Sequence, residues 1–249
     1  MSIASTIPHP QEPEIHASHD VHEHPDWQKH HFETAEQQRE AASFGMWLFL
    51  LTEIMFFGGL FFAYLLYRNW YYDAFVSASN SISLPMGLTN TIVLISSSFT
   101  MAMGVYSAEM KNKKALQMWL LITVFLGFAF LGIKTGEYYD KFAEHHVPGA
   151  SFDIADFVHP AAGSGEKPLT VDMANKTQIY FSLYFAMTGV HALHMVIGIA
   201  ILIVLLWKSR SGLYSSGYVQ PIENFGLYWH FVDIVWIFLF PFLYLINRH

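Results

Sequence analysis

The sequence contains no cysteine, which excludes disulfides, thiolate metal sites, iron–sulfur clusters and a cysteine nucleophile. Charged residues are also scarce: they make up 13% of the 249 residues, whereas a soluble domain has about 25%. The sequence has no basic cluster large enough to indicate a nucleic-acid partner. The N-terminus lacks the basic and then apolar order of a signal peptide, and it is too acidic for a transit peptide.

What the sequence has is apolar length. Hydrophobic residues make up 53% of it, and apolar runs of about 20 residues recur, each long enough to cross a hydrocarbon core about 30 Å thick. We therefore predict an all-α membrane protein, a bundle of about five transmembrane helices that follows a polar N-terminal arm. The membrane domain covers residues 43–249, and its predicted spans are residues 44–69, 88–108, 116–139, 178–207 and 225–246.

The arm of residues 1–42 is polar, rich in proline and acidic. Eight acids and two bases give residues 1–43 a net charge of −6. Such a composition predicts a disordered arm, with a surface helix leading into the first span. A metal-gathering tail is the alternative, because the arm holds seven of the fourteen histidines: His9, His16, His19, His22, His24, His30 and His31.

Basic residues in the short loops predict the orientation. The loop after span two carries Lys111, Lys113 and Lys114, and the loop after span four carries Lys208 and Arg210. By the positive-inside rule, these loops and the N-terminus face the cytoplasm, and the C-terminus faces outward. Tryptophans near the span ends fit aromatic belts, with Trp70 at one interface and the other four at the opposite one: Trp47, Trp119, Trp207 and Trp229.

Two spans carry residues suited to helix packing. Hydroxyls in a membrane helix can bond back to the preceding turn or to a neighbouring helix, and glycines allow helices to approach closely. We expect this role for the hydroxyl residues of span two, Ser96, Ser97, Ser98 and Thr100. We expect close helix approach at three glycines of span three, Gly127, Gly132 and Gly136.

Glu53 is the most informative residue, because it is the one carboxylate in the run of residues 44–67. It lies ~14 Å from the Phe44 end, close to the membrane midplane. A buried charge there costs at least ~2.5 kcal/mol, so such a residue is a functional candidate. We expect Glu53 to be hydrogen-bonded and to face the interior of the bundle. A packing role, with the carboxyl bonded to a neighbouring helix or a lipid headgroup, is the alternative.

Two further pairs of polar residues lie within predicted spans. His191 and His194 are three residues apart and so share one helix face, and His194 can approach Glu53 if their helices are neighbours. His230 and Asp233 have the same spacing, and Asp233 should face protein rather than lipid. Either pair has a plain interpretation, interhelical hydrogen bonding, and a functional one, proton transfer. Spans one to three contain no histidine, so we expect this chain to bind no redox metal.

Four stretches resemble subunit III of cytochrome c oxidase, in the haem–copper oxidase superfamily. They are GMWLFLLTEIMFFGGLFFAY (45–64), KTGEYY (134–139), GVHALHMVIG (189–198) and GLYWHFVDIVWIFLF (226–240). The resemblance covers about residues 44–246. It implies a short, five-helix bacterial form, since this sequence starts at what resembles the third helix of the family's seven-helix form.

The resemblance implies a non-catalytic core subunit of a proton-pumping aerobic terminal oxidase. Subunit I is then the direct partner, and subunit II belongs to the same complex. The complex is expected in a bacterial inner membrane, where it contacts membrane lipids and can join a larger respiratory supercomplex, with the C-terminus of this chain in the periplasm. Haem and copper are expected in the partner subunits and none in this chain, although a phospholipid can bind. The residues expected to support proton uptake are Glu53, His191, His194, His230 and Asp233.

Other functions remain open. An accessory subunit of a quinol oxidase or nitric oxide reductase has the same fold. An autonomous proton or ion transporter using Glu53, His194 and Asp233 is a third class, although the sequence shows no inverted repeat and no pair of broken spans.

Overall fold

The computed structural model describes residues 34–149, 151–160, 167–210, 214 and 218–246. In this part of the chain the fold is all-α, and five helices are long and apolar enough to cross a membrane. These are α1 (Ala35–Trp70), α3 (Leu84–Glu109), α4 (Lys113–Ala143), α6 (Val171–Ser209) and α7 (Gln220–Tyr244). Two shorter helices are α2 (Tyr72–Asn80) and α5 (Ala155–Val158).

Local sequence signals begin the long helices. The Thr34 hydroxyl accepts a hydrogen bond from the backbone N–H of Gln37 at 3.1 Å and caps α1. Thr170 caps α6 in the same way, and the side chain of Asn112 caps α4. Helices α3 and α7 each have a proline in the first turn, where a backbone N–H would have no partner within the helix, so its absence costs no hydrogen bond.

The predicted spans lie within these helices, with two corrections. The last helix ends at Tyr244 rather than at residue 246, and the N–H of Leu245 then bonds to the carbonyl of Pro241. The segment between the first two predicted spans, for which no helix was predicted, contains α2, whose Phe75 and Ala78 are fully buried. The predicted surface helix of the arm is continuous with span one from Ala35 onward, and residues 1–33, with most of the histidine-rich arm, lie outside the described residues.

Helix α7 forms the centre of the bundle. The Nε1–H of Trp229 donates to the Ser97 hydroxyl at 2.9 Å, and that of Trp236 donates to the Thr91 hydroxyl at 3.1 Å, so both tryptophans tie α7 to α3. Trp229 also fills space left by two glycines: a Cβ at Gly198 would lie 2.9 Å from its ring. Its assignment to an aromatic belt was therefore wrong, because its indole is buried inside the bundle.

The hydroxyl residues of span two behave as predicted. Ser97 bonds to Trp229, Thr100 bonds to Thr123 of α4 at 2.8 Å, and Ser96 bonds back to the carbonyl of Ile92 at 2.9 Å. The three glycines of span three differ in how closely neighbouring side chains approach them. Gly127 lies against Ile199 and Trp229, whereas a Cβ at Gly132 or Gly136 would meet nothing within 4 Å, so the expected close approach does not occur there among the described residues.

Helix α1 is the least covered of the five. Only 17% of its most apolar segment is buried, against 50% for α7. It lies against α6 and α7 and presents large apolar side chains outward, including Phe44, Met55 and Phe62. Lipid or another subunit must cover this surface, because such an apolar face is not stable in water.

Candidate functional site

Glu53 and His194 form a hydrogen-bonded pair between α1 and α6. The Nε2 of His194 lies 3.1 Å from the Glu53 carboxyl, and the two side chains are 14% and 18% exposed. The Nδ1 of His194 lies 2.8 Å from the carbonyl of Val190, which can only accept, so Nδ1 carries a hydrogen. The contact with Glu53 then holds one shared proton, on the carboxyl in a neutral pair or on the imidazole in an ion pair.

The pair lies at one end of a groove between α1, α6 and α7. The groove has a volume of about 530 Å³ and extends from Glu53 past Met46 of α1 to Leu205, near the end of α6, and Pro221, near the start of α7. The Tyr228 hydroxyl donates to the carbonyl of His194 at 2.9 Å and forms part of the wall. Most of the lining is apolar and includes Met46, Phe49, Ile197, Ile201, Leu205 and Phe225.

His191 does not join this pair. Its side chain is fully buried, and neither ring nitrogen has a hydrogen-bond partner in the described part of the chain. The ring lies between Phe130 and Trp236, with centroid distances of 5.4 and 5.2 Å. His191 is directed to the bundle core and His194 to Glu53, so the helix face that their three-residue spacing was expected to give them does not bring the two histidines into one site.

His230 and Asp233 line one cavity but do not contact each other through a hydrogen bond. The Nδ1 of His230 pairs with the Ser98 hydroxyl of α3 at 2.7 Å. Asp233 is 3% exposed, so it faces protein as expected, yet neither carboxyl oxygen has a hydrogen-bond partner among the described residues. The cavity lies between α3 and α7 and has a volume of about 290 Å³.

The most extensive polar cluster, at Lys134 and Glu137, was not predicted. The Lys134 ammonium lies 3.2 Å from the Glu137 carboxylate, and the two side chains are 3% and 1% exposed. The hydroxyls of Tyr184 and Tyr244 donate to the same carboxylate at 2.6 and 2.5 Å, so the cluster joins α4, α6 and α7. The ammonium also lies 5.0 Å from the ring of Trp236.

A sequence signal for that cluster existed. Lys134 and Glu137 are opposite charges three residues apart near the end of the third predicted span. That spacing brings the two side chains together on one helix face, so the charges neutralise each other within the membrane.

His146 lies outside the spans, in the segment after α4. It is 2% exposed, its Nδ1 lies 3.1 Å from the Glu144 carboxylate, and its ring stacks on Phe181 of α6 at 5.3 Å. Burial lowers the pKa of His146, and the nearby charge of Lys141 lowers it further, against the opposing effect of Glu144. The neutral ring therefore holds this segment against α6.

No group of three or more His, Asp or Glu side chains converges as a metal site in the described ranges. The histidines of the arm lie outside those ranges, so the alternative of a metal-gathering tail stays open. The expectation that no redox metal is bound by this chain stays a prediction.

Comparison with known proteins identifies the family. Residues 15–162 and 169–247 match the family described as "Cytochrome c oxidase subunit III". The chain belongs to this family. It is 30% identical over 229 residues to the cytochrome c oxidase subunit 3 of Thermostichus vulcanus, with 92% of each chain covered. It is 34% identical over 204 residues to the Synechocystis protein of the same name, which covers 82% of this chain and 75% of the relative.

Other relatives differ in their named electron donor. A probable quinol oxidase subunit 3 from Staphylococcus saprophyticus is 29% identical over 203 residues, which cover 82% of this chain and 88% of the relative. Membership of the family makes this chain subunit III of a haem–copper oxidase, a bacterial membrane protein that forms a complex with other oxidase subunits.

Proposed function

We propose that this chain is the non-catalytic core subunit of a proton-pumping terminal oxidase that reduces oxygen with electrons from cytochrome c. In this proposal it packs directly on subunit I, contributes no redox centre, and supports proton uptake and the working life of the enzyme. The names of the cyanobacterial relatives support cytochrome c as the donor. A quinol is the second candidate, supported by the names of the staphylococcal relatives.

The observation that carries the proposal is the Glu53–His194 pair. A carboxyl and an imidazole that share one proton can accept or release it with little movement of either side chain. The groove extends from the pair toward Leu205 and Pro221, near the ends of α6 and α7 that one loop joins, and the positive-inside rule assigns this loop to the cytoplasm. Protons taken up by a pumping oxidase come from that side.

The groove also suits a lipid. Its walls match an acyl chain, and the Glu53–His194 pair can bond to a hydroxyl or ester that enters from the open side. A bound lipid would keep water away from the apolar walls. The Glu53–His194 pair would then be the preferred place in the groove for a polar group. We include phospholipid binding in the proposal on this basis.

The donor and the complex are tested together. The chain is tagged at its C-terminus, the complex is purified from the native membrane, and its haem and copper content is recorded beside oxygen consumption with reduced cytochrome c and with a quinol. We expect co-purification with the catalytic subunits and activity with cytochrome c. Activity with the quinol alone would transfer the assignment to the second candidate. A chain that is isolated alone and conducts protons in liposomes would indicate the transporter instead.

A further inference from the structure

The buried carboxyl of Asp233 lies near the middle of α7. It is 3% exposed, and neither oxygen makes a hydrogen bond within the described residues. Buried polar groups in native proteins are almost always paired, because an unpaired one loses its bonds to water without replacement. This holds in either protonation state, since a carboxylate needs donors and a carboxylic acid needs a donor and an acceptor. The structure therefore indicates that a hydrogen-bonding group from outside this chain completes the site.

The neighbouring polar side chains do not meet that need. The Ser98 hydroxyl lies close enough to interact with the Asp233 carboxyl, but its hydrogen bond of ordinary geometry is with the Nδ1 of His230 at 2.7 Å. A hydroxyl has one hydrogen, so even a rotated Ser98 would serve only one of the two Asp233 oxygens. The lysines on the described residues that approach the bundle interior, Lys134 and Lys141, are paired with other carboxylates.

The depth of the site limits what can reach it. Asp233 is thirteen residues from the start of α7 and eleven from its end, which places it ~20 Å and ~16 Å from the two helix ends. Lipid headgroups lie outside the hydrocarbon core, which is about 30 Å thick, and acyl chains have no donor. The group that pairs with Asp233 is therefore a protein side chain or water.

The surroundings favour protein. The cavity of about 290 Å³ is bounded on its outer side by Ile95 of α3 and by Ile234 and Ile237 of α7, which are 46–54% exposed. A cavity of this size has room for a side chain, and its isoleucine rim would pack well against an apolar helix. A water in the cavity would have polar partners in Ser98, His230 and Asp233, but its outer side would face open hydrocarbon unless another helix covered the isoleucine rim.

We propose that the α3–α7 cavity is a docking site for a transmembrane helix of the partner oxidase subunit. That helix inserts a side chain with an O–H or N–H group, which pairs with the Asp233 carboxyl, while its apolar neighbours cover the isoleucine rim. The inference rests on the proposed function, because it takes the partner to be a membrane-embedded oxidase subunit. It adds two points to the proposed function: the face of this chain that contacts the partner, and the residue that anchors the contact.

Photo-crosslinking in the assembled oxidase tests the occupant. The photoreactive amino acid p-benzoylphenylalanine is placed at Ile237, and the complex is illuminated in native membranes and analysed by mass spectrometry. We expect an adduct with a transmembrane peptide of the catalytic subunit, and we expect this adduct to diminish when Asp233→Leu is added. Adducts with lipid alone, in a complex that still contains the catalytic subunit, would overturn the inference.

Variants at Asp233 test the anchor. Asp233→Leu fills the cavity but leaves the partner group without an acceptor, so we expect subunit III to leave the detergent-solubilised oxidase about tenfold faster or more. Asp233→Asn keeps a carbonyl acceptor and should restore retention to within about twofold of the native complex. The matched control is Thr100→Val, which removes a buried hydroxyl paired inside this chain, and it should leave the rate near native.

The outcomes separate this inference from the proposed function. If the native chain never co-purifies with an oxidase, the proposed function fails. If it co-purifies, but Asp233→Leu dissociates at the native rate, the α3–α7 docking site alone is refuted.

Discussion

Glu137→Gln removes the charge that balances Lys134 inside the bundle. Glutamine keeps the volume and, through Oε1, the acceptor for the hydroxyls of Tyr184 and Tyr244, but it replaces the oxygen that faces Lys134 with an NH2 group, so both the charge and the acceptor of the Lys134 ammonium are lost. Lys134 is 3% exposed and would lose its counter-charge. Breaking a buried ion pair by removing one partner costs about 3–5 kcal/mol, because the remaining charge stays buried and uncompensated.

The effect is measured as the melting temperature of the purified chain or complex. A loss of 1 kcal/mol lowers the melting temperature by about 2–4 °C in a chain of this size, so we expect a fall of about 6–20 °C.

The double variant Lys134→Met/Glu137→Gln has no buried charge at this position, and it should recover most of the loss. Arg39→Gln, which breaks the exposed pair with Glu223 at 3.6 Å, should cost about 1 kcal/mol or less. A Glu137→Gln variant that melts within about 2 °C of the native protein would refute the reasoning.

Three further predictions concern the Glu53–His194 pair, the segment after α4 that contains His146, and the topology. His194→Phe keeps the ring contact with Phe57 but removes the shared proton, so oxygen consumption should decay faster with haem content unchanged. The lowered pKa of His146 means that the unfolded segment gains a proton below about pH 6.5 that the folded one resists. The protection factor of the amides in residues 144–160, with the intrinsic exchange rate at each pH divided out, should therefore fall as the pH falls, and His146→Phe should abolish this fall. A C-terminal reporter should signal the periplasm, and a cytoplasmic signal would contradict the assigned orientation.

Helix positions were predictable because hydrophobic length is encoded locally. A run such as residues 44–67 needs no knowledge of its neighbours to be recognised as a span. The depth of Glu53 and His194 could also be counted along their helices, and this count anticipated their contact. The missed helix α2 is short, and its burial depends on α6, which lies far away in the sequence.

The remaining errors come from tertiary packing. Trp229 was assigned to a membrane interface from its place near the start of a span, but glycines on two other helices open a space that its indole fills. In the sequence, Lys134 and Glu137 look like ordinary charges near the end of a span. Their burial is apparent only in the folded bundle, where three helices enclose them. Local patterns do not encode such enclosure, because it depends on residues that meet only when the bundle has formed.

The central claim is that the Glu53–His194 pair supports an oxidase whose chemistry takes place elsewhere. The most direct measurement is oxygen consumption over time by an assembled complex that carries Glu53→Ala, beside the native complex and a Glu53→Gln variant. The account predicts normal haem content and a near-normal initial rate, followed by a shortened working life or a reduced proton-pumping ratio. Immediate and complete loss of oxygen reduction would make Glu53 catalytic, and an unchanged rate, ratio and lifetime would leave the pair with a packing role alone. Either result would contradict the account.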